Sequence, residues 1–165
     1  MKLKHYRQIE VAGQVICGLW EGPYYRYTTD HLWTRLTGGC PCHPPSVWVG
    51  VTDFLRWQEG LITGVQVLCD RRMPLTKGEE IAHLETARGT LTLRSPLEGL
   101  VVVANPRLQE NPALISEDPY VAGWLLLVHP ADLVGYKEGL LDGAAYMEWV
   151  AKQARGVLIQ GGHSK

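Results

Sequence analysis

The residues with most chemistry to offer stand in the stretch ETARGTLTLRSP, from Glu85 to Pro96. Two runs of strand character, Ile81–Glu85 and Leu91–Arg94, flank a turn centred on Ala87-Arg88-Gly89. Gly89 permits the positive φ that a tight turn often needs, and β-branched Thr86, Thr90 and Thr92 suit pleated flanks. The pattern predicts a hairpin with Arg88 exposed at its tip, flanked by Glu85, Thr86, Ala87 and Gly89. A guanidinium there offers charge and five N–H donors to a partner. It is a poor acyl acceptor, because it stays protonated and its lone pair is delocalised. A lysine amine could take that role after losing a proton. The lysines stand elsewhere, at positions 2, 4, 77, 137, 152 and 165.

A second cluster is Cys40-Pro41-Cys42-His43. Thiolates and imidazole are soft ligands for zinc, iron–sulfur clusters or copper(I). The C-x-C-H spacing is tighter than the C-x₂-C of most zinc sites, and a fourth donor is needed. Cys17 and Cys69 are the other two cysteines, and nothing in the sequence brings them close. The plainer reading is a loop with reduced thiols; the alternative is a metal- or thiol-based redox protein using Cys40, Cys42 and His43. The adjacent carboxylates Glu117 and Asp118 read as a solvated turn, and His31, with no second ligand at helical or hairpin spacing, as a packed structural residue.

The elements that must position these groups are mainly strands. Gln8–Val11 and Gln14–Leu19 can pair over Ala12-Gly13, and His31–Leu36 is a half-buried strand. Thr37–Pro45 is a glycine- and proline-rich loop. A strand follows at Val47–Val51, then a short helix capped by Thr52 or Asp53 and stopped by Gly60. Leu61–Leu68 is β-rich, and Arg71-Arg72 is a surface connection. From Met73 the order is turn (Thr76-Lys77-Gly78), strand, tip, strand, turn (Ser95-Pro96) and strand Gly99–Ala104. Pro96 cannot donate to a ladder and so ends a strand. A brief helix over Pro112–Ile115, a strand over Trp124–Val128, and a helix from Asp142 to Arg155 complete the pattern. That last helix has Tyr146, Trp149, Val150 and Gln153 on its packed face, is stopped by Gly156, and leaves Val157–Lys165 as a frayed tail.

Composition narrows the function. Charged residues are 20% of the chain and nearly cancel, to a formal −1, so no basic excess points to nucleic acid. The longest apolar run, Val121–Val128, is too short to span a bilayer, and no signal peptide is read, so a cytoplasmic location and no membrane partner are expected. No G-x-G-x-x-G loop follows a strand.

Four blocks occur in family order: YTTDHLW at Tyr27–Trp33, VGVTDF at Val49–Phe54, ETARGTLTLRSPLEGLVV at Glu85–Val102, and SEDPYVAGWLLLVHPADL at Ser116–Leu133. Together they resemble the H-protein family of the glycine cleavage system, a non-catalytic lipoyl carrier. The resemblance implies a mainly β fold with short accessory helices, a barrel-sandwich hybrid of the lipoyl/biotinyl-carrier type with two four-stranded layers. It also implies a division into an N-terminal extension (1–26), the carrier-type domain (27–155, with a loop insertion at 37–45) and a tail (156–165). In the family the tip reads E-S-V-K-A and its lysine is acylated by lipoic acid. The matching residues here are Glu85-Thr86-Ala87-Arg88-Gly89, so the acceptor lysine has become arginine. The resemblance further places Lys77 at the opposite end of the sheet. The family's arm shuttles an aminomethyl group from the P-protein to the T-protein and is reoxidised by the flavoprotein L. The expectation is a homologue without cofactor that keeps a docking or regulatory role toward glycine-cleavage-type or lipoate-handling proteins. A working lipoyl carrier is the alternative.

Overall fold

The computed structural model describes residues 6–38 and 44–163, with side chains through residue 157. Eleven strands are present among them: β1 Tyr6–Val11, β2 Gln14–Trp20, β3 Tyr25–Tyr27, β4 Leu32–Thr37, β5 Ser46–Val51, β6 Ile62–Val67, β7 Pro74–Leu75, β8 Glu80–Thr86, β9 Gly89–Arg94, β10 Gly99–Ala104 and β11 Leu126–Pro130. The helices are α1 Asp53–Glu59, α2 Arg107–Glu110, α3 Leu114–Glu117 and α4 Gly143–His163, with a 3₁₀ turn at Gly135–Lys137.

All pairings are antiparallel. Six strands form one sheet in the order β3-β4-β5-β11-β10-β7, three form another in the order β6-β8-β9, and β1-β2 stands apart as a hairpin. The expected pair of four-stranded layers is therefore corrected to six against three. The large sheet gains β3 at one edge, and at the other it takes in two-residue β7.

Alternation decides which side chains are buried. Leu32, Val47, Val49, Val51, Val101, Leu126 and Val128 of the large sheet meet Ile62, Ile81, Leu84 and Leu93 of the small one in a shared aliphatic core. Each fully buried side chain of this kind contributes roughly 1.5–3 kcal/mol. The opposite face of the large sheet is aromatic. There Tyr27 and Trp33 pack with Phe54, Tyr120 and Tyr146 under the β1–β2 hairpin. Gly50 makes room for this layer, since a Cβ at that position would lie 2.5 Å from the Trp33 ring.

The segment that precedes the resemblance packs into the body through its hairpin: Ile9, Val11, Ile16 and Leu19 are all buried. Its turn is the one anticipated, with Ala12 and Gly13 at φ of 54° and 78°. Both residues are left-handed, as a two-residue turn between twisted strands requires.

Several boundaries differ from expectation. α3 lies over Leu114–Glu117 rather than Pro112–Ile115, because Asn111 and Pro112 carbonyls accept from Leu114 and Ile115 N–H at 3.2 Å in the preceding turns. β11 begins at Leu126, not Trp124, since Gly123 is held in a turn by the Asp118 carbonyl at 2.8 Å. Thr52 precedes α1 but makes no side-chain cap; its hydroxyl instead meets the Tyr146 hydroxyl at 3.0 Å. Asp142 does cap α4, accepting from Ala145 N–H at 2.8 Å. That helix runs through Gly156 to His163, for a helical glycine costs only about 1 kcal/mol and does not by itself end a helix. Its buried line is Tyr146, Val150 and Ala154, and Gln153 is exposed.

Candidate functional site at the β8–β9 tip

The hairpin forms because its two strands agree in register: Leu84 pairs with Leu91, Glu85 with Thr90, and Thr86 with Gly89. Only Ala87 and Arg88 link them, so Gly89 belongs to β9 rather than to the loop. Its φ of +129° is open to glycine and strained for any other residue. Thr86 locks the turn, its hydroxyl accepting from Arg88 N–H at 3.1 Å and donating to the Gly89 carbonyl at 2.9 Å. Glu85 is held by the Thr90 hydroxyl, which donates to its carboxylate at 3.0 Å.

Sequence reasoning missed the support beneath this turn. Ala87 N–H donates to the Leu61 carbonyl at 3.2 Å, tying the tip to the chain just beyond α1. Gly60 makes the approach possible; a Cβ there would come within 2.9 Å of the Ala87 Cβ. Leu61 itself is 65% exposed beside the tip. The hint was the glycine stopping α1, but a stop signal does not say what packs against it.

Arg88 is exposed, and its guanidinium has no ion-pair or hydrogen-bond partner among the described residues. The tip therefore presents a charged, planar donor fork on a turn fixed at its base. That arrangement suits recognition of a carboxylate-bearing partner and offers no nucleophile.

The other sites resolve differently. Cys40, Cys42 and His43 lie outside the described residues. Cys17 and Cys69 are buried in two different clusters, and burial pushes their thiols up to about 12 and about 11, so neither is a reactive thiolate near neutral pH. Among the described residues no three His, Cys, Asp or Glu side chains gather to hold a metal. Asp118 is structural, its carboxylate accepting from Ala122 N–H at 3.1 Å, and Glu117 is exposed.

His31 is packed as expected, at φ 74° near Phe54, and its carbonyl accepts from Thr52 N–H at 2.8 Å. Burial lowers its pKa, against the opposing pull of Glu59 and Asp30. A buried polar knot at Asp53 was not anticipated. Its carboxylate accepts from Gly18 N–H at 2.9 Å and pairs with Arg56 at 3.0 Å, while the Tyr120 hydroxyl donates to the Gly18 carbonyl at 2.7 Å. This knot pins the N-terminal hairpin to the body. Among the described residues no helix is long and apolar enough to cross a membrane.

Comparison with known proteins follows the same lines. The family model of the glycine cleavage H-protein matches residues 25–153. A glycine cleavage system H protein of Anaeromyxobacter sp. (strain K) is 36% identical over 128 residues, covering 78% of this chain and 94% of that protein. A probable glycine cleavage system H protein of Aeropyrum pernix is 35% identical over 128 residues, 78% of this chain and 84% of its own. The crystal structure of a glycine cleavage system H protein from Mycobacterium marinum superposes with a TM-score of 0.66 at 28% identity, over 78% of this chain and 97% of that one. The match spans the large sheet, the tip hairpin and the first half of α4, and the chain belongs to the glycine cleavage H-protein family, a family of lipoyl carriers rather than catalysts.

Proposed function

We propose that this chain is an H-protein homologue without a lipoyl arm, acting as a docking or regulatory partner of glycine-cleavage-type or lipoate-handling proteins. One observation carries the reading: Arg88 is exposed on the two-residue turn where the resemblance places the acceptor lysine. A guanidinium does not fit covalent attachment, since acylation needs a neutral amine with a free lone pair. What supports a surviving docking role is the preserved presentation of the tip, with Thr86 bracing the turn and Leu61 exposed beside it.

The test is the intact mass of the full chain made in a cell with working lipoylation enzymes, followed by peptide mapping. The expected result is the unmodified mass. A lipoyl increment on any lysine overturns the proposal and makes the chain a working carrier modified away from the tip.

A further inference from the structure

Among the described residues, the aromatic face of the large sheet is only partly covered. Its outward residues stand in register across three strands: Tyr25 pairs with Arg35, Tyr27 with Trp33, and Arg35 with Trp48. At the Tyr27–Trp33 end the β1–β2 hairpin and α4 close over it, and Tyr27 stacks on Tyr146 at 4.6 Å. At the Arg35 end the face opens into two adjoining cavities of about 610 and 190 Å³, which share Arg35 and Val121.

The walls are flat and apolar. Trp20 lies parallel to Tyr25, with ring centroids 6.0 Å apart and planes 12° apart, and Trp124 meets Trp48 edge-on at 4.8 Å. The Arg35 guanidinium sits 6.0 Å from the Trp48 ring centroid. Tyr24, 57% exposed, forms the rim. Trp20 and Tyr24 precede residue 25, where the family match begins, so one wall is built by this chain's own N-terminal segment.

Charge says what the occupant must bring. Arg35 has no ion-pair partner among the described residues, and the carboxylate lining the larger cavity, Glu21, is already paired with Arg7 at 3.1 Å. A guanidinium held against aromatic rings and short of a counter-charge is suited to bidentate capture of a carboxylate. The larger cavity is within the size range of small-molecule sites, roughly 300–1,000 Å³. We propose that this groove binds a flat, apolar small molecule bearing a single carboxylate, its ring system against Trp20, Tyr25 and Trp48 and its carboxylate on Arg35. The inference is independent of the lipoyl question.

The probe is 2-naphthoate, titrated calorimetrically into the full chain beside its uncharged analogue 2-naphthylmethanol and the aliphatic acid octanoate. Naphthoate is expected to bind saturably, one to one, and the alcohol at least ~10-fold more weakly, because it lacks the charge-assisted pair. Arg35→Gln should bring naphthoate down to the level of the alcohol. Tyr24→Ala, at an exposed position that leaves the core untouched, should weaken both naphthyl ligands about threefold and keep their ratio. If Arg35→Gln fails to fold, Tyr24→Ala and the acid-to-alcohol ratio of the unaltered chain still decide the matter. Absence of saturable naphthoate binding overturns the proposal. So does an acid preference unchanged in a folded Arg35→Gln, or octanoate binding as tight as naphthoate.

Discussion

The two turns at opposite ends of β8 differ in both chemistry and mechanics. At one end, Thr76-Lys77-Gly78 carries an amine. Gly78 N–H donates to the Ser95 carbonyl at 2.9 Å, the Gly78 carbonyl accepts from Arg94 at 3.2 Å, and Lys77 lines a cavity of about 200 Å³ with Leu97, Glu98, Asp132 and Tyr136. At the other end, Ala87-Arg88 carries a guanidinium, exposed and with no ion-pair or hydrogen-bond partner among the described residues, on a turn tied down through Thr86 and through Ala87 N–H on the Leu61 carbonyl. The Lys77 turn is stitched into its neighbours; the Arg88 turn projects from a braced base. An enzyme that modifies a side chain must close around its target, and a projecting turn is the easier of the two to enclose. A lysine amine and an exposed two-residue tip therefore stand at different ends of one strand.

The largest effect expected from this contrast is all-or-none. Arg88→Lys, incubated with lipoate ligase, ATP and lipoate, should gain one lipoyl group at residue 88. The unaltered chain should gain none, Lys77 included. Mass spectrometry with peptide mapping reads both, and labelling of Lys77 in the unaltered chain would show that projection is not what the ligase needs.

Backbone strain separates the two turns next. Gly89 at φ +129° lies further from the left-handed well than Gly78 at φ +88°. Gly89→Ala should cost about 2 kcal/mol and Gly78→Ala about 1 kcal/mol, measured by urea unfolding. Equal costs would mean that the tip relaxes freely. Thr86→Val should then cost about 1 kcal/mol through loss of its two hydrogen bonds, with faster amide exchange at Arg88 than at Lys77. The smallest effect is Arg88→Ala. An exposed, unpaired side chain should shift stability by less than about 0.5 kcal/mol in a thermal melt, so any loss of partner binding in that variant reports recognition rather than folding.

The tip hairpin was legible because its signals are local. Alternation in Leu91-Thr92-Leu93, β-branched threonines and one glycine suffice to specify a hairpin, but the register came from the structure, which pairs Thr86 with Gly89 and leaves only Ala87 and Arg88 in the turn. Asp142 announced the start of α4 for the same reason, its side chain reaching only three residues ahead. The misses are non-local or balanced. Gly156 is a stop signal that the helix overrides, and Gln153 gave way to Ala154 as the packed position because the hairpin, and not the helix, sets the contact line. Trp124 looked like strand, yet its neighbour Gly123 is committed to a turn with Asp118.

What the amino-acid sequence determined is a hairpin over Ile81–Arg94, a glycine in its turn, and a guanidinium at residue 88. Each depends on residues within a few positions of one another, or on the covalent nature of a single side chain. Only the tertiary structure decided that the hairpin of residues 6–20 packs into the core, that Leu61 underpins the tip, and that Trp20, Tyr25, Arg35, Trp48 and Trp124 share one open face. Those groups come from segments up to about a hundred residues apart, and no local propensity encodes their meeting. They meet because a sheet with one aliphatic and one aromatic side must cover both, and among the described residues the second is covered only in part.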